Sequence, residues 1–577
     1  MRSVLSLLLT AALPFAAVAA GAQGVDGSRA LAGLWRAVGT VGPPVDGELV
    51  VRAHAGRWTA SIDGLEATGR TAGTIRTFRF PAGFGELHAP VSPGASMRAF
   101  WIQPAGATFG NRYGSPADLR LREPDTWVGQ VVTLPSRLEL YLVLQPGPQG
   151  GLRGFVRDPL ANFGPSFASA RLDGTTLRFT GAHGGFAGAY DPATQTIALT
   201  IAPYPPAIFT RVAPSAASGF FPRTPMRSHL AYERPLPRAD GWPVGTLAQV
   251  GMRPAPVEAL LDHILRTPDD SLRAPVIQGL LVARHGRLVV DAYFDGFSAD
   301  RPHDLRSAGK SFDAALVGTA IAHGAALRAD TPILPFYRFG ALRHPDPRKA
   351  HITLGDVLDM SSGLRCDDND DASPGNEGVV QSQAGQPDWY RYMLDLPMAS
   401  APGVRAVYCS EGINLVGGVV SHATAVWLPL WFDRTIARPL QFGRYYIPIT
   451  PTGTMYLGGG EYLLPRDFLK LGQLFLDGGR WHGVRLLPHA WVTDALRPHA
   501  SLQTPGDYGY SWHRLTLRVG RRTYRSYEAG GNGGQLLEVV PQLDLVVLVT
   551  AANYMQYPVW KRFRDLIAQD ILAASAP

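Results

Sequence analysis

The sequence predicts an α+β domain over residues 240–577, preceded by an all-β domain of barrel or sandwich type over 23–205, with a linker and entry segment at 206–239. Three observations carry this. Residues 24–205 run in short alternating stretches broken by Gly/Pro turns. After residue 240 the apolar residues recur at helical spacing. In that second region the strand-like runs lie at the two ends with helices between, so one sheet must join both ends of the chain segment.

The elements follow in order. MRSVLSLLLTAALPFAAVAAGAQG sets one arginine before an apolar stretch that ends in small residues. It is expected to be a secretory signal peptide over 1–22, cut after Ala20-Gly21-Ala22, which makes the mature protein periplasmic or secreted. A membrane anchor fits less well, because the segment is short, and no later stretch is long and apolar enough to span a bilayer. Next, LVVRAHAGRWTASIDG places Trp58, Ala60 and Ile62 on one side and closes at Asp63-Gly64. FASARLDGTTLRF sets Asp173-Gly174 between two β-like runs, a hairpin signal. AGAYDPATQTIALTI repeats the pattern at Pro192, and 138–144 is a buried strand candidate. No catalytic constellation falls in this region. It is expected to be an accessory packing domain, with binding of substrate or a cell-envelope partner as the alternative. Residues 202–225 are dense in proline and small residues, as linkers are.

Beyond the linker, PVEALLDHIL and the run from Lys310 to Gly324 have helical spacing. GLLVARHGRLVVDAYFDG reads as two strands about His285-Gly286. PRDFLKLGQLFLDGG is an amphipathic helix ended by Gly478-Gly479. QLLEVVPQLDLVVLVTAAN is a strand pair turning at Pro541, and KRFRDLIAQDILAA is a closing helix.

Composition bounds the function. The 577 residues are 46% hydrophobic and 18% charged, as in globular proteins with a sizeable core. The net charge is +7, but the arginines are scattered, the densest cluster being Arg518, Arg521, Arg522 and Arg525. That is a solvated surface with mild attraction for anions, not a nucleic-acid footprint. The two cysteines, Cys366 and Cys409, are either a disulfide, as an oxidising compartment favours, or two buried thiols. They do not make a zinc site, and no His-Glu-x-x-His occurs, so no metal and no cofactor are expected. The carboxylates from Asp367 to Asp371 lack EF-hand spacing and read as a solvated loop.

Of 54 Lys plus Arg, only Lys310, Lys349, Lys470 and Lys561 are lysine. A lysine can lose its proton where an arginine cannot. Lys310 stands three residues after Ser307 at the start of a helix, so hydroxyl and amine share a face. Such a pair can form an activated nucleophile. The positive end of the helix would favour a neutral Lys310, the better base. Gly-Lys-Ser also resembles the end of a phosphate-binding loop, but Asp304 stands where that loop needs glycine. Tyr408, in GVRAVYCSEGINLVGGVV, is a candidate proton relay, and AGGNGGQLLEVVP could supply an oxyanion donor. Without a Gly-x-Ser-x-Gly elbow, an α/β-hydrolase is disfavoured.

Six stretches in order now resemble one family: LLVARHGRLVVDAYFDG, RSAGKSF, ITLGDVLDMSSGL, AVYCSEGINLVGGVV, YLGGGEYLLPRDFLKLGQLFLDGGRW and YEAGGNGGQLLEVVPQLDLVVLV. Residues 240–575 resemble the serine β-lactamase-related family of class C-type β-lactamases, DD-peptidases, carboxylesterases and nylon-oligomer hydrolases. The resemblance implies a β-lactamase/transpeptidase-like fold, an antiparallel sheet flanked by helices plus a helical subdomain. It implies Ser307 as acylated nucleophile, Lys310 as its neutral partner and Tyr408 as second acid/base. The oxyanion hole would join the Ser307 N–H to one near Asn532, with Gly531 within one residue of slip.

Two positions depart from the family. The tyrosine motif, often Tyr-x-Asn, here ends in Ser410, a candidate substrate-binding residue that can still hydrogen-bond but has less reach and no amide. The third motif starts with Ala529 where the family has Lys or His, the cation that helps bind the carboxylate of β-lactams and D-Ala peptides. The run Ala-Gly-Gly-Asn-Gly-Gly-Gln is most like the nylon-oligomer hydrolase and esterase branch. The expected activity is therefore cleavage of an ester or amide, a small molecule or short peptide, through an acyl-enzyme. A D-amino-acid peptidase or β-lactamase and a catalytically silent binding protein are the rivals. A Cys366–Cys409 bridge would tie the acidic segment to Tyr408. Trp427, Trp431 and Phe432 read as core or lid; Tyr445 and Tyr446 read equally as core or substrate loop. Oligomeric state is not legible.

Overall fold

The computed structural model describes residues 30–40, 45–81, 83–105, 111–135, 137–147, 151–157, 166–181, 184–200, 207–213, 231–267, 274–502 and 506–576. The expected signal peptide lies outside them. The chain divides near residue 222 into two compact units.

The first unit contains two closed antiparallel barrels rather than one. Among the described residues, eight strands between Gly47 and Val131 form a barrel that closes where Thr126–Val131 pairs with both Gly47–His54 and Arg112–Glu123. The second barrel starts with β1 (Gly33–Thr40) and resumes only at Arg137–Pro146, so the first barrel is inserted after its opening strand. Alternation fills both interiors: Leu49, Val51, Phe78, Trp101 and Leu119 in one, Trp35, Leu142, Phe179 and Phe209 in the other. The turn at Asp63-Gly64 has φ of 48° and 75°, the left-handed pair that a tight hairpin needs. The Asp173-Gly174 hairpin forms as expected, with Asp173 opposite Thr176.

One boundary is corrected. Residues 207–212, placed by the sequence in the linker and entry segment, form the strand Ala207–Val212, which pairs with both Thr196–Leu199 and β1 and closes the second barrel. The prolines before it give the segment the composition of a linker. The alternation beneath them buries Ala207 and Phe209 and exposes Ile208.

The second unit is a mixed sheet-and-helix domain. Its sheet runs in the order Arg287–Tyr293, Ile277–Arg284, Leu545–Ala551, Gln535–Val540, Arg522–Gly531, His513–Val519, with Asp507–Tyr508 and Ala500–Ser501 at the far edge. Ile277–Arg284 pairs antiparallel with Leu545–Ala551, so the sheet does join the two ends of the domain. These central strands are almost continuously apolar because both faces are covered. One core lies between the sheet and the helices Pro254–Arg266 and Tyr557–Leu566. Helix Pro465–Leu476 packs against the strands Gln535–Val540, Leu545–Ala551 and Ile277–Arg284. Helix Ser311–Ala322 is buried from Ser311 to Ala320, as a helix apolar on all sides must be. It packs on Leu415–Thr424 of the helical subdomain. Among the described residues, no single helix is long and apolar enough to cross a membrane.

Candidate active site

Ser307 and Lys310 do not start an α-helix. Residues Arg306–Lys310 form a 3-10 turn that leads into the α-helix at Ser311. With three residues per turn, positions three apart eclipse each other. The Lys310 Nζ accordingly reaches the Ser307 Oγ at 3.0 Å. It also donates to Gly458 O at 2.5 Å, which fixes the amine from the opposite side. Arg306, just before the nucleophile, has a φ of 49°, a conformation that costs energy outside glycine. Asp304 holds it there, taking the Arg306 N–H at 2.9 Å and the guanidinium at 2.8 Å.

The second wall is the run Gly458-Gly459-Gly460. A Cβ at Gly459 would strike Arg306 O and lie 2.9 Å from Ser307 Cα, and φ there is +100°. Glycine is what lets this backbone lie against the nucleophile turn. The third wall is the end of Arg522–Gly531. A Cβ on Gly531 would collide with Leu305 O and lie 3.0 Å from Ala308 N. Asn532 follows directly. Its side chain turns to Met555, accepting the Met555 N–H at 2.8 Å and donating to the sulfur at 3.2 Å.

The fourth wall carries Tyr408, half-buried, with its ring centroid 5.2 Å from the Lys310 Nζ. Cys409 is bonded to Cys366, their Cα atoms 5.7 Å apart, so the cysteines are the disulfide rather than two thiols. The bridge folds the acidic segment under the tyrosine. Asp368 N donates to Tyr408 O at 2.9 Å, and the Asp368 carboxylate takes the Ser410 N–H at 2.7 Å. The Ser410 hydroxyl is also bound to Asp368, which links it to the support of Tyr408.

The acidic segment is thus corrected in part: Asp370 and Asp371 are exposed, but Asp368 is buried. Burial pushes its carboxyl up to about 6, with Glu377 adding and Ser410 and Lys310 opposing. Glu377 takes the Tyr456 hydroxyl at 2.7 Å, and Gln381 reaches Glu411 at 3.1 Å. Glu411 is raised well above the usual range, by burial first and Glu377 next. This acidic layer acts on Lys310 together with Tyr408. Burial lowers the affinity of the amine for its proton, but Tyr408, Glu377 and Asp368 outweigh it, and the net direction is upward. That direction runs against the neutral amine expected from the helix end. The three-residue view from the sequence did not include anions from residues 368–411.

Among the described residues, no cluster of His, Cys, Asp and Glu fits a metal. Ala529 is buried and pairs with Leu537, so no cation stands at that position. Trp431, Phe432, Tyr445 and Tyr446 are core. The residues that the sequence reading missed are Asp368, Glu377, Glu411, Tyr456 and Glu461. Their signal was available only in the spacing of Asp368 from a bonded cysteine and of Glu461 from three glycines.

A family model described as Beta-lactamase matches residues 261–569, more than half of the chain. The chain is 26% identical over 263 residues to a 6-aminohexanoate-dimer hydrolase of Paenarthrobacter ureafaciens, covering 42% of this chain and 63% of that protein, which is under two thirds of its length. Among solved structures it is similar to a penicillin-binding protein homolog from Caulobacter crescentus (14% identity, 56% of this chain, 99% of that one, TM-score 0.44). It is also similar to a beta-lactamase from Mycobacterium bovis (15%, 55% and 100%, TM-score 0.39). Ser307, Lys310 and Tyr408 thus stand within the matched span, and the chain belongs to the beta-lactamase family of serine hydrolases.

Proposed function

We propose that this protein is an exported hydrolase that cleaves an ester or amide through an acyl-enzyme on Ser307. The observation that carries this is the 3.0 Å contact between the Ser307 Oγ and the Lys310 Nζ inside a buried, disulfide-tied site. The Oγ attacks the carbonyl carbon, and its proton leaves through Lys310 and Tyr408. An ammonium cannot accept a proton, so the reactive form is the one in which Lys310 has released its extra proton to solvent; the amine then takes the Oγ proton and hands it, through the Tyr408 hydroxyl, to the leaving group. The N–H groups of Ser307 and Asn532 would meet the oxyanion, which the Gly531 contact with the nucleophile turn supports. The leaving group departs with the proton, and water then attacks the ester on Ser307 by the same relay.

The absence of a cation at Ala529 favours substrates recognised without a carboxylate clamp. The relative's name, a hydrolase of a linear amide dimer, points to short linear amides and esters. A fluorophosphonate should add its mass at Ser307, with the Ser307→Ala variant as blank. A panel of p-nitrophenyl esters, linear amides, D-Ala peptides and nitrocefin then ranks substrates. No labelling at Ser307 would refute the reading and leave the silent binding protein; turnover of D-Ala peptides or nitrocefin above the esters and amides would give the site to the peptidase or β-lactamase reading. Export is tested by the N-terminal sequence of protein from the periplasm and medium, which should start near Gln23.

A further inference from the structure

Directly behind the nucleophile turn lies a carboxyl group that the mechanism above does not use. Glu461 is fully buried, and neither of its oxygens has a hydrogen-bond partner from another described residue. It follows the glycines that line the site. Its backbone O takes the Leu305 N–H at 2.9 Å, and Gly460 N donates to Arg306 O at 3.0 Å, so the residue and the glycine before it are both pinned to the turn. The side chain lies against Gly309, between Ser307 and Lys310: a Cβ on Gly309 would overlap the Glu461 carboxyl. The space is shared with two other ionisable groups, Lys310 and Asp313 of the helix that follows.

We propose that Glu461 is a positioning residue of the acylation centre, a carboxyl packed behind the Ser307–Lys310 turn whose charge sets how readily Lys310 gives up its proton. The inference rests on the acyl-enzyme reading. A buried carboxylate whose one donor is its own backbone N–H is costly, so the group keeps its proton. Burial pushes it up to about 8, against its own backbone N–H and Lys310 and with Asp304. Asp313 is likewise raised well above the usual range by burial and by Glu461. Three anionic or phenolic groups, Tyr408, Glu377 and Asp368, already hold the ammonium of Lys310 from the tyrosine side. A fourth negative charge from Glu461 would hold it harder and slow the proton transfer. The neutral carboxyl fills the space without adding that charge.

The test follows the rate of Ser307 labelling by a fluorophosphonate from about pH 6 to about pH 10, in the wild type and in Glu461→Gln. The wild-type rate should fall through an ionisation near pH 8, and in the amide variant this fall should move up by more than about one pH unit. Thermal unfolding is measured on the same samples. The folded carboxyl keeps its proton between about pH 4.5 and pH 8 while the unfolded one loses it, so its burial destabilises increasingly across that window. The gain in Tm of Glu461→Gln over wild type should therefore grow from pH 5 to pH 8 and then level. Superimposed labelling profiles would overturn the proposal, even if the Tm gain appears, because the acid would then be structural alone. Absence of wild-type labelling at every pH would instead overturn the acyl-enzyme reading, and this inference with it.

Discussion

Asp368 donates its backbone N–H to Tyr408 O at 2.9 Å, and the two residues sit within a ring closed by the Cys366–Cys409 bridge. The bridge, the backbone bond and the Asp368–Ser410 bond all act on the three residues around the phenol. Opening the bridge frees the tyrosine segment while leaving the nucleophile turn, which is anchored by the glycine run and the sheet.

Reduction without denaturant should therefore lower kcat before it unfolds the protein. The cysteines are 43 residues apart, so the bridge contributes about 4 kcal/mol in the chain-entropy account. Turnover and near-ultraviolet circular dichroism are followed after reduction is verified by thiol titration. Unchanged turnover with both thiols free would remove the bridge from the support of Tyr408.

Lys310→Arg should lose at least about 10²-fold in kcat/KM, the scale of a lost general base. Arginine retains the positive charge but does not release a proton, and its fork cannot repeat the compact contacts to Ser307 Oγ and Gly458 O. The melting temperature shows whether the fold survived. Near-normal turnover would exclude Lys310 from the proton path.

The sequence showed this much of the site because the chemistry sits at short spacing. Ser307 and Lys310 are three residues apart, and Tyr408 adjoins a cysteine, so both were visible as local patterns. The sheet from the two ends of the domain was legible from where the β-branched runs fall. The upward shift of Lys310 was not, because besides Tyr408 it depends on Glu377 and Asp368, brought in by a distant loop. The second barrel was hidden for a similar reason. Barrels with the same alternation look alike in one dimension, and only the pairing of Leu34 with Val143 and Val212 shows that the chain returns to its first strand.

Gly531→Ala tests the oxyanion wall. The added methyl meets Leu305 O and Ala308 N and must push the strand end away from Ser307. A loss of about 10²-fold in kcat is expected, as when one oxyanion donor is withdrawn, with KM changing far less. A pure KM effect would mean that this strand end binds substrate without touching the oxyanion.

Arg564 and Glu528 form the buried tie between the closing helix and the strand that ends at Gly531, with Nη2 to Oε1 at 2.7 Å. Burial alone would raise the Glu528 carboxyl, but Arg564 overrides it and holds the group down to about 2. Arg564→Met leaves that charge unpaired and should cost about 3–5 kcal/mol in urea unfolding. The double variant with Glu528→Met should recover most of the loss, since both charges are then gone. If the double variant is as unstable as the single one, packing rather than charge holds this helix.

His303 supplies a pH dependence of known sign. It is buried beside the nucleophile turn, with Nδ1 3.0 Å from Asp304 O and Nε2 2.7 Å from Gln278 Oε1. Burial pushes the ring down to about 4, with Asp304 opposing. The unfolded chain takes a proton near pH 6.5, whereas the folded chain refuses it until about pH 4. The unfolded state therefore binds more protons in that window, and stability falls as pH drops through it. The shift corresponds to about 3 kcal/mol for complete desolvation. In His303→Gln this contribution is absent. Whatever the variant costs at pH 7, the gap to wild type should narrow between about pH 6.5 and pH 4 in chemical unfolding. Parallel curves for the two proteins would mean that the ring is protonated inside the fold, donating from Nδ1 to Asp304 O and from Nε2 to Gln278 Oε1.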